Sequence, residues 1–164
     1  VQLRKKGLIK TIGISGYNVN KLIKLSKNNH ITTVLTYGHY SLLNSTIKTH
    51  LETFKNNKVD LINASPFCMG LLTKNNCPDW HPYKEKNKIK TKIDALTKQN
   101  INIEEISFKY ALNQTLFNST LTGIASTSQL NQLLEWYKHK ESNQHLDDTI
   151  NKFKSFIPVK WKTN

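Results

Sequence analysis

The sequence predicts a parallel α/β fold. Four short strand-like runs alternate with helical patterns, and the run at 59–64 is continuously apolar enough for a strand buried on both faces. Repeated β-then-α order requires parallel strands joined by right-handed crossovers. The 164 residues, 37% apolar and 21% charged, suit one globular domain of ordinary size with no separate second domain.

The elements follow in order. Val1 leads into a Lys-rich turn and Gly7, which reads as the end of a helix with its glycine stop, so the chain reads as beginning in the middle of something. A strand over 9–14 precedes a helix over 20–28, where Val19, Leu22, Ile23 and Ser26 share one face. The second strand is 32–37. Ser45 then opens a helix through Lys55 that turns Ile47, Leu51 and Phe54 inward. After the strand at 59–64 comes a connection over 65–86, with Pro66, Pro78 and Pro82, long enough to suggest a binding role.

Helical pattern resumes over 87–99. Asn102 and Glu105 then form a capping box opening a helix with Ile103, Ile106 and Tyr110 on one face. The last strand is short, 120–123. Ser126 and Gln129 make another capping box, and Leu130, Leu133, Leu134 and Tyr137 give an i, i+3, i+4, i+7 stripe. A final amphipathic segment over 146–156 runs into a Lys-rich tail stopped by Pro158.

This order fits either an open doubly wound sheet or part of a closed β/α barrel. Four strands cannot close, and a barrel of this kind needs eight strands and about 250 residues. The chain therefore looks like a half.

The formal net charge is +13, yet of the 24 basic residues only Arg4 is arginine and the lysines are scattered. With guanidinium groups nearly absent and no basic stripe, a nucleic-acid partner is not expected. No run approaches the ~18 apolar residues of a membrane span, and no signal peptide follows the charged start, so a cytoplasmic protein without a membrane partner is expected. Cys68 and Cys77 read as free intracellular thiols, and Cys68 lacks a neighbouring cation in sequence that would make it a nucleophile. No metal site is expected. The Asn-x-Ser/Thr triplets at Asn44 and Asn118 are chance events in so Asn-rich a chain.

Five segments, read together, carry a resemblance: GLIKTIGISGY at 7–17, TYGHYSLL at 36–43, INASPFCMGLLT at 62–73, PDWHP at 78–82 and LTGIASTSQL at 121–130. In order and spacing they resemble the C-terminal half of the aldo/keto reductase family, in the branch of L-galactose dehydrogenase and D-threo-aldose 1-dehydrogenase, from Gly7 to the helix ending near Lys140. The resemblance implies that the four strands are the fifth to eighth of a (β/α)₈ TIM barrel. It also implies that the family's catalytic Tyr, Lys, Asp and His would lie before Val1, so no catalytic residue is assigned within the chain.

The site residues are those the resemblance implies. Ser15 matches a serine that helps bind the nicotinamide carboxamide, since a hydroxyl can donate or accept; as a bare sequence, the Ser-Gly-Tyr turn only ends a strand. Gly16 stands where many relatives have Asn. Tyr37 replaces a glutamine and offers a ring to the nicotinamide, because Ala64 stands at the family's stacking position; barrel packing is the other reading. His39 falls on the same strand face by alternation.

Ser65, Pro66 and Phe67, continued by Met69, Gly70 and Leu71, match a run that approaches the pyrophosphate, where a strand end leaves donors unpaired; a tight apolar turn at the barrel mouth accounts for the same residues. Trp80 and His81 border the substrate opening, where Trp80 either stacks on a sugar or anchors the loop. Ile124, Ala125, Ser126 and Gln129 match the segment receiving the adenosine ribose at a helix N-terminus. Gln132 and Leu133 replace the Glu and Asn that meet the adenine edge, and Leu133 cannot hydrogen-bond.

The function so implied is the cofactor-binding half of a nicotinamide-dependent oxidoreductase, an aldose dehydrogenase acting on an aldose or other small carbonyl or hydroxyl substrate and inactive as this chain alone. The expected cofactor is NAD rather than NADP: Gln129 occupies the place of an arginine for the 2′-phosphate, and 119–134 contains no Lys or Arg. The alternative is a non-catalytic scaffold for nucleotide sensing or protein interaction. Partners would be the small substrate and the missing N-terminal half, or a second copy meeting the open strand edges.

Overall fold

The computed structural model describes residues 1–75, 77–139 and 143–156. The opening helix α1 (Gln2–Lys5) stops at Gly7, whose φ of +71° lets the Gly7 and Leu8 N–H groups turn back to the carbonyls of Arg4 and Leu3. Strand β1 is Gly13–Gly16, displaced toward the C-terminus from the expected 9–14. Its partner β2 (Thr33–Tyr37) pairs from Gly13↔Thr33 onward, so residues 9–11 lie beyond the sheet and Ile9 is exposed.

Between them α2 (Val19–Ser26) starts at Asn18, whose side-chain oxygen accepts the Lys21 N–H at 2.9 Å. Val19, Leu22 and Ser26 are buried, with Ile23 packed against the core. The helix expected from Ser45 is a 3₁₀ turn over Thr46–His50 that passes into α3 (Leu51–Asn56); Ile47, Leu51 and Phe54 point inward as expected.

Strand β3 (Asp60–Ala64) leads through the long connection to α4 (Lys86–Thr97), which buries Ile89, Ile93 and Leu96. Asn102 caps α5 (Ile103–Leu112), accepting from Glu105 N–H. β4 is Ser119–Leu121, followed by α6 (Thr127–Lys138) and α7 (Asn143–Phe156), whose Leu146, Ile150 and Phe153 are buried at helical spacing. Lys140 and the tail with Pro158 lie outside the described residues.

All pairs are parallel and the strand order is β1-β2-β3-β4. Crossovers of one hand that always step to the next strand place every connecting helix on one face; a doubly wound sheet would reverse its order part-way. Burial agrees. Val34, Thr36, Leu61 and Asn63 face the helices and are buried, while Ser15, Tyr37 and Leu121 on the other face are exposed and Leu35, Ile62 and Ala64 are only half-buried. The expectation that β3 is buried on both faces is therefore corrected: helices cover one side and the other is open.

The α6 stripe is corrected too. Only Leu133 is buried, against the α5 side; Leu130, Leu134 and Tyr137 are exposed, since none of the described elements packs on their side of the helix.

Candidate cofactor site at the strand rim

Parallel strands end on one side, so the sheet has one C-terminal rim. The registers Gly16↔Thr36, Tyr37↔Ala64 and Ala64↔Leu121 bring the loops after all four strands together there. Ser15, registered with Leu35, and Tyr37, two residues on from Leu35, open onto the uncovered face. The Tyr37 ring is 5.5 Å from that of Tyr17, tilted by 50°.

His39 does not share that face. The strand ends at Tyr37, and Gly38 takes φ +71°, which breaks the alternation and turns His39 into the interior. A carbonyl can only accept, so His39 Nε2 carries the proton donated to Tyr17 O, and Nδ1 accepts from the Thr46 hydroxyl at 3.1 Å. Burial lowers the His39 pKa, opposed in part by that backbone bond, and keeps the ring neutral. Asn44 braces the same loop: its Nδ2 donates to Gly38 O and its Oδ1 accepts Thr46 N–H.

The loop after β3 is conformationally costly. Ser65, Cys68 and Met69 have φ of 65°, 50° and 54°, and Gly70 has 92°. Each non-glycine residue held there costs roughly 1–3 kcal/mol, the kind of strain that gathers at functional loops. The expected free amide at the strand end is partly spent, because Ser65 N–H donates to Leu121 O. Pro66 is buried; Phe67 is half-buried at the rim. Cys68 is fully buried, and desolvation pushes its thiol up to about 12, so it stays protonated and unreactive.

In the rest of that loop the structure separates the two aromatic candidates, one buried and one exposed. His81 is the anchor, buried with Nε2 2.9 Å from Cys68 O and Nδ1 accepting Tyr83 N–H. Trp80 is 70% exposed, its ring stacked 6.4 Å from that of His81.

At the far end of the rim, Ser126 Oγ accepts Gln129 N–H at 3.2 Å, and Gln129 Oε1 accepts Ala125 N–H at 2.8 Å. The capping box thus closes onto Ala125 rather than Ser126 itself and shapes the turn that carries Ile124. Beside it is a cleft of about 100 Å³ formed by Phe67 and Thr73 from the β3 loop, Glu104 from α5, and Gly123, Gln129 and Gln132 from the β4–α6 segment. It brings together four residues singled out from sequence, Phe67, Gln129, Gln132 and Leu133. It adds Glu104, for which local sequence gave no signal, since the capping box had drawn attention to Glu105. Among the described residues no group of three or more His, Cys, Asp or Glu could hold a metal ion, and no helix is long and apolar enough to cross a membrane.

Residues 1–152 match the Aldo/keto reductase family. The chain belongs to the aldo/keto reductase family. Among curated relatives of this family member, the L-galactose dehydrogenase of Arabidopsis thaliana is 27% identical over 97% of the chain and 52% of its own length. The D-arabinose 1-dehydrogenase of Saccharomyces cerevisiae is 25% identical over 86% of the chain and 46% of its own.

The fold resembles that of an aldo-keto reductase from Bacillus halodurans in its holo form, with TM-score 0.71 at 19% identity over 93% of this chain and 52% of that one. It also resembles a glycerol dehydrogenase from Gluconobacter oxydans, with TM-score 0.66 at 14% identity over 99% and 54%. The aldo/keto reductase chain described here thus spans about half the length of the relatives it matches.

Proposed function

We propose that this chain is the C-terminal, cofactor-holding half of an aldo/keto reductase barrel that oxidises or reduces an aldose or other small carbonyl or hydroxyl compound. The observation that carries the reading is the gathering of Ser15, Tyr37, Ser65 and the Phe67–Gln129–Gln132 cleft on one strand rim. An uncovered sheet face and the exposed Leu130, Leu134 and Tyr137 of α6 support it, as surfaces that the other half of a closed barrel would cover.

The donor set fits a dinucleotide. The cleft offers the amide side chains of Gln129 and Gln132 for ribose hydroxyls, the N-terminus of α6 outside it offers N–H groups for phosphate oxygens, and Tyr37 offers a ring face at the other end of the rim. When bound, a nicotinamide cofactor supplies the hydride. The Ser15 hydroxyl orients the carboxamide, Tyr37 packs against the ring, and the Ser65 hydroxyl stands toward the pyrophosphate. Trp80 offers a stacking surface to a sugar. The proton donor comes from the other half, so this chain by itself binds without turning over, and NAD is preferred to NADP.

Calorimetric titration of the 164-residue chain with NAD tests the reading. Binding that weakens about fivefold or more in both S15A and Y37A is expected. Absence of NAD binding, or affinity untouched by both substitutions, would overturn it.

A further inference from the structure

Within the cleft between the β3 loop and α6, Glu104 is the only lining side chain with a formal charge among the described residues. Its Oε1 accepts the Lys74 backbone N–H at 2.6 Å, which fixes the carboxylate at the cleft wall and uses one of its two oxygens. No lysine or arginine occurs in 119–134, the segment forming the facing wall. The Lys90 ammonium is bound to the carbonyls of Thr73 and Asn75, two residues that line the cleft, and its side chain is not itself part of the lining.

A carboxylate accepts hydrogen bonds only, and bonds from ribose hydroxyls to it are charge-assisted. A 2′-phosphate, by contrast, brings about −1.5 to −2 charges and no donor to the same place. We propose that Glu104 is a specificity-determining residue that selects a dinucleotide with free ribose hydroxyls and rejects the 2′-phosphorylated form. This rests on reading the cleft as the adenosine end of a dinucleotide site. It goes further by moving discrimination from a missing cation on α6 to a charge present on α5.

The test uses the full chain with ADP-ribose and 2′-phospho-ADP-ribose as probes in calorimetry. The wild-type chain should bind ADP-ribose about tenfold or more tightly. E104Q keeps an oxygen for the Lys74 N–H and removes the charge, so the preference should fall below about threefold, and E104K should reverse it. Circular dichroism of both variants confirms that the fold persists. Binding of both probes with the same ratio in wild type, E104Q and E104K overturns the role of Glu104 and leaves the cleft reading standing. Failure of the wild-type chain to bind either probe overturns both.

Discussion

His39 and Tyr17 fasten the first two loops of the rim together. His39 Nε2 donates to the Tyr17 carbonyl, and the two rings lie 4.7 Å apart at 47°. The pair supports Tyr37 from behind, since the Tyr17 ring touches both it and His39.

This arrangement makes stability depend on pH. Burial is the largest cause lowering the pKa of both His39 and His81 from 6.5 in the folded chain. The unfolded state therefore binds more protons as the solution is acidified. The stabilisation is fully present above pH 6.5 and is lost as pH falls through the lowered folded values. Urea midpoints should drop between neutral and mildly acidic pH, and H39Q should flatten part of that slope. A midpoint independent of pH over this window would contradict the burial of neutral imidazoles.

Behind the rim, Thr36 and Asn63 occupy registered positions on the two central strands, fully buried against the helices. Among the described residues Thr36 Oγ1 and Asn63 Oδ1 have no hydrogen-bond partner, although Asn63 Nδ2 donates to Tyr40 O. T36V keeps the shape and removes one orphaned oxygen, so it should stabilise the chain by about 1 kcal/mol. The readout is a higher urea midpoint at unchanged slope. A loss of stability would mean that the hydroxyl has a bridging water.

On the proposed reading the general acid belongs to the other half of the barrel, so the 164-residue chain should show no aldose-dependent change in nicotinamide absorbance. His39 is buried and neutral, Cys68 is protonated, and Tyr110 and Tyr40 have pKa values raised by burial. Turnover by the purified chain would contradict the assignment of the chemistry to another half.

Open edges and an exposed apolar stripe should make the isolated chain self-associate. β1 pairs with β2 and β4 with β3, leaving one edge of each without a strand among the described residues. Sedimentation should show oligomers, and L130E with L134E should shift them toward monomer, because these side chains are 40% and 44% exposed and support no core. A compact, cooperative monomer in the unaltered chain would contradict this.

Local rules reached far into the fold. Asn102 and Ser126 announced the starts of α5 and α6 because a cap is a local bond, and the β-then-α order gave the parallel sheet. The misread features depend on partners distant in sequence. β1 begins where β2 can pair with it, not where apolar residues begin. Periodicity marked Leu130, Leu134 and Tyr137 as apolar, but burial needs a neighbour to bury them. Gly38 switched His39 from the rim to the interior, and the loop fold decided which of Trp80 and His81 points outward. Glu104 enters the cleft only because α5 is docked beside the start of α6, a contact that no nearby residue encodes.

The central claim, that this is the cofactor-holding C-terminal half of an aldo/keto reductase barrel, is tested most directly by sequencing the transcript upstream of the Val1 codon. The account predicts an open reading frame that continues without interruption into four further βα units carrying the family's Asp, Tyr, Lys and His. An in-frame stop followed by a start at this point, or an upstream sequence unrelated to the family, would contradict it.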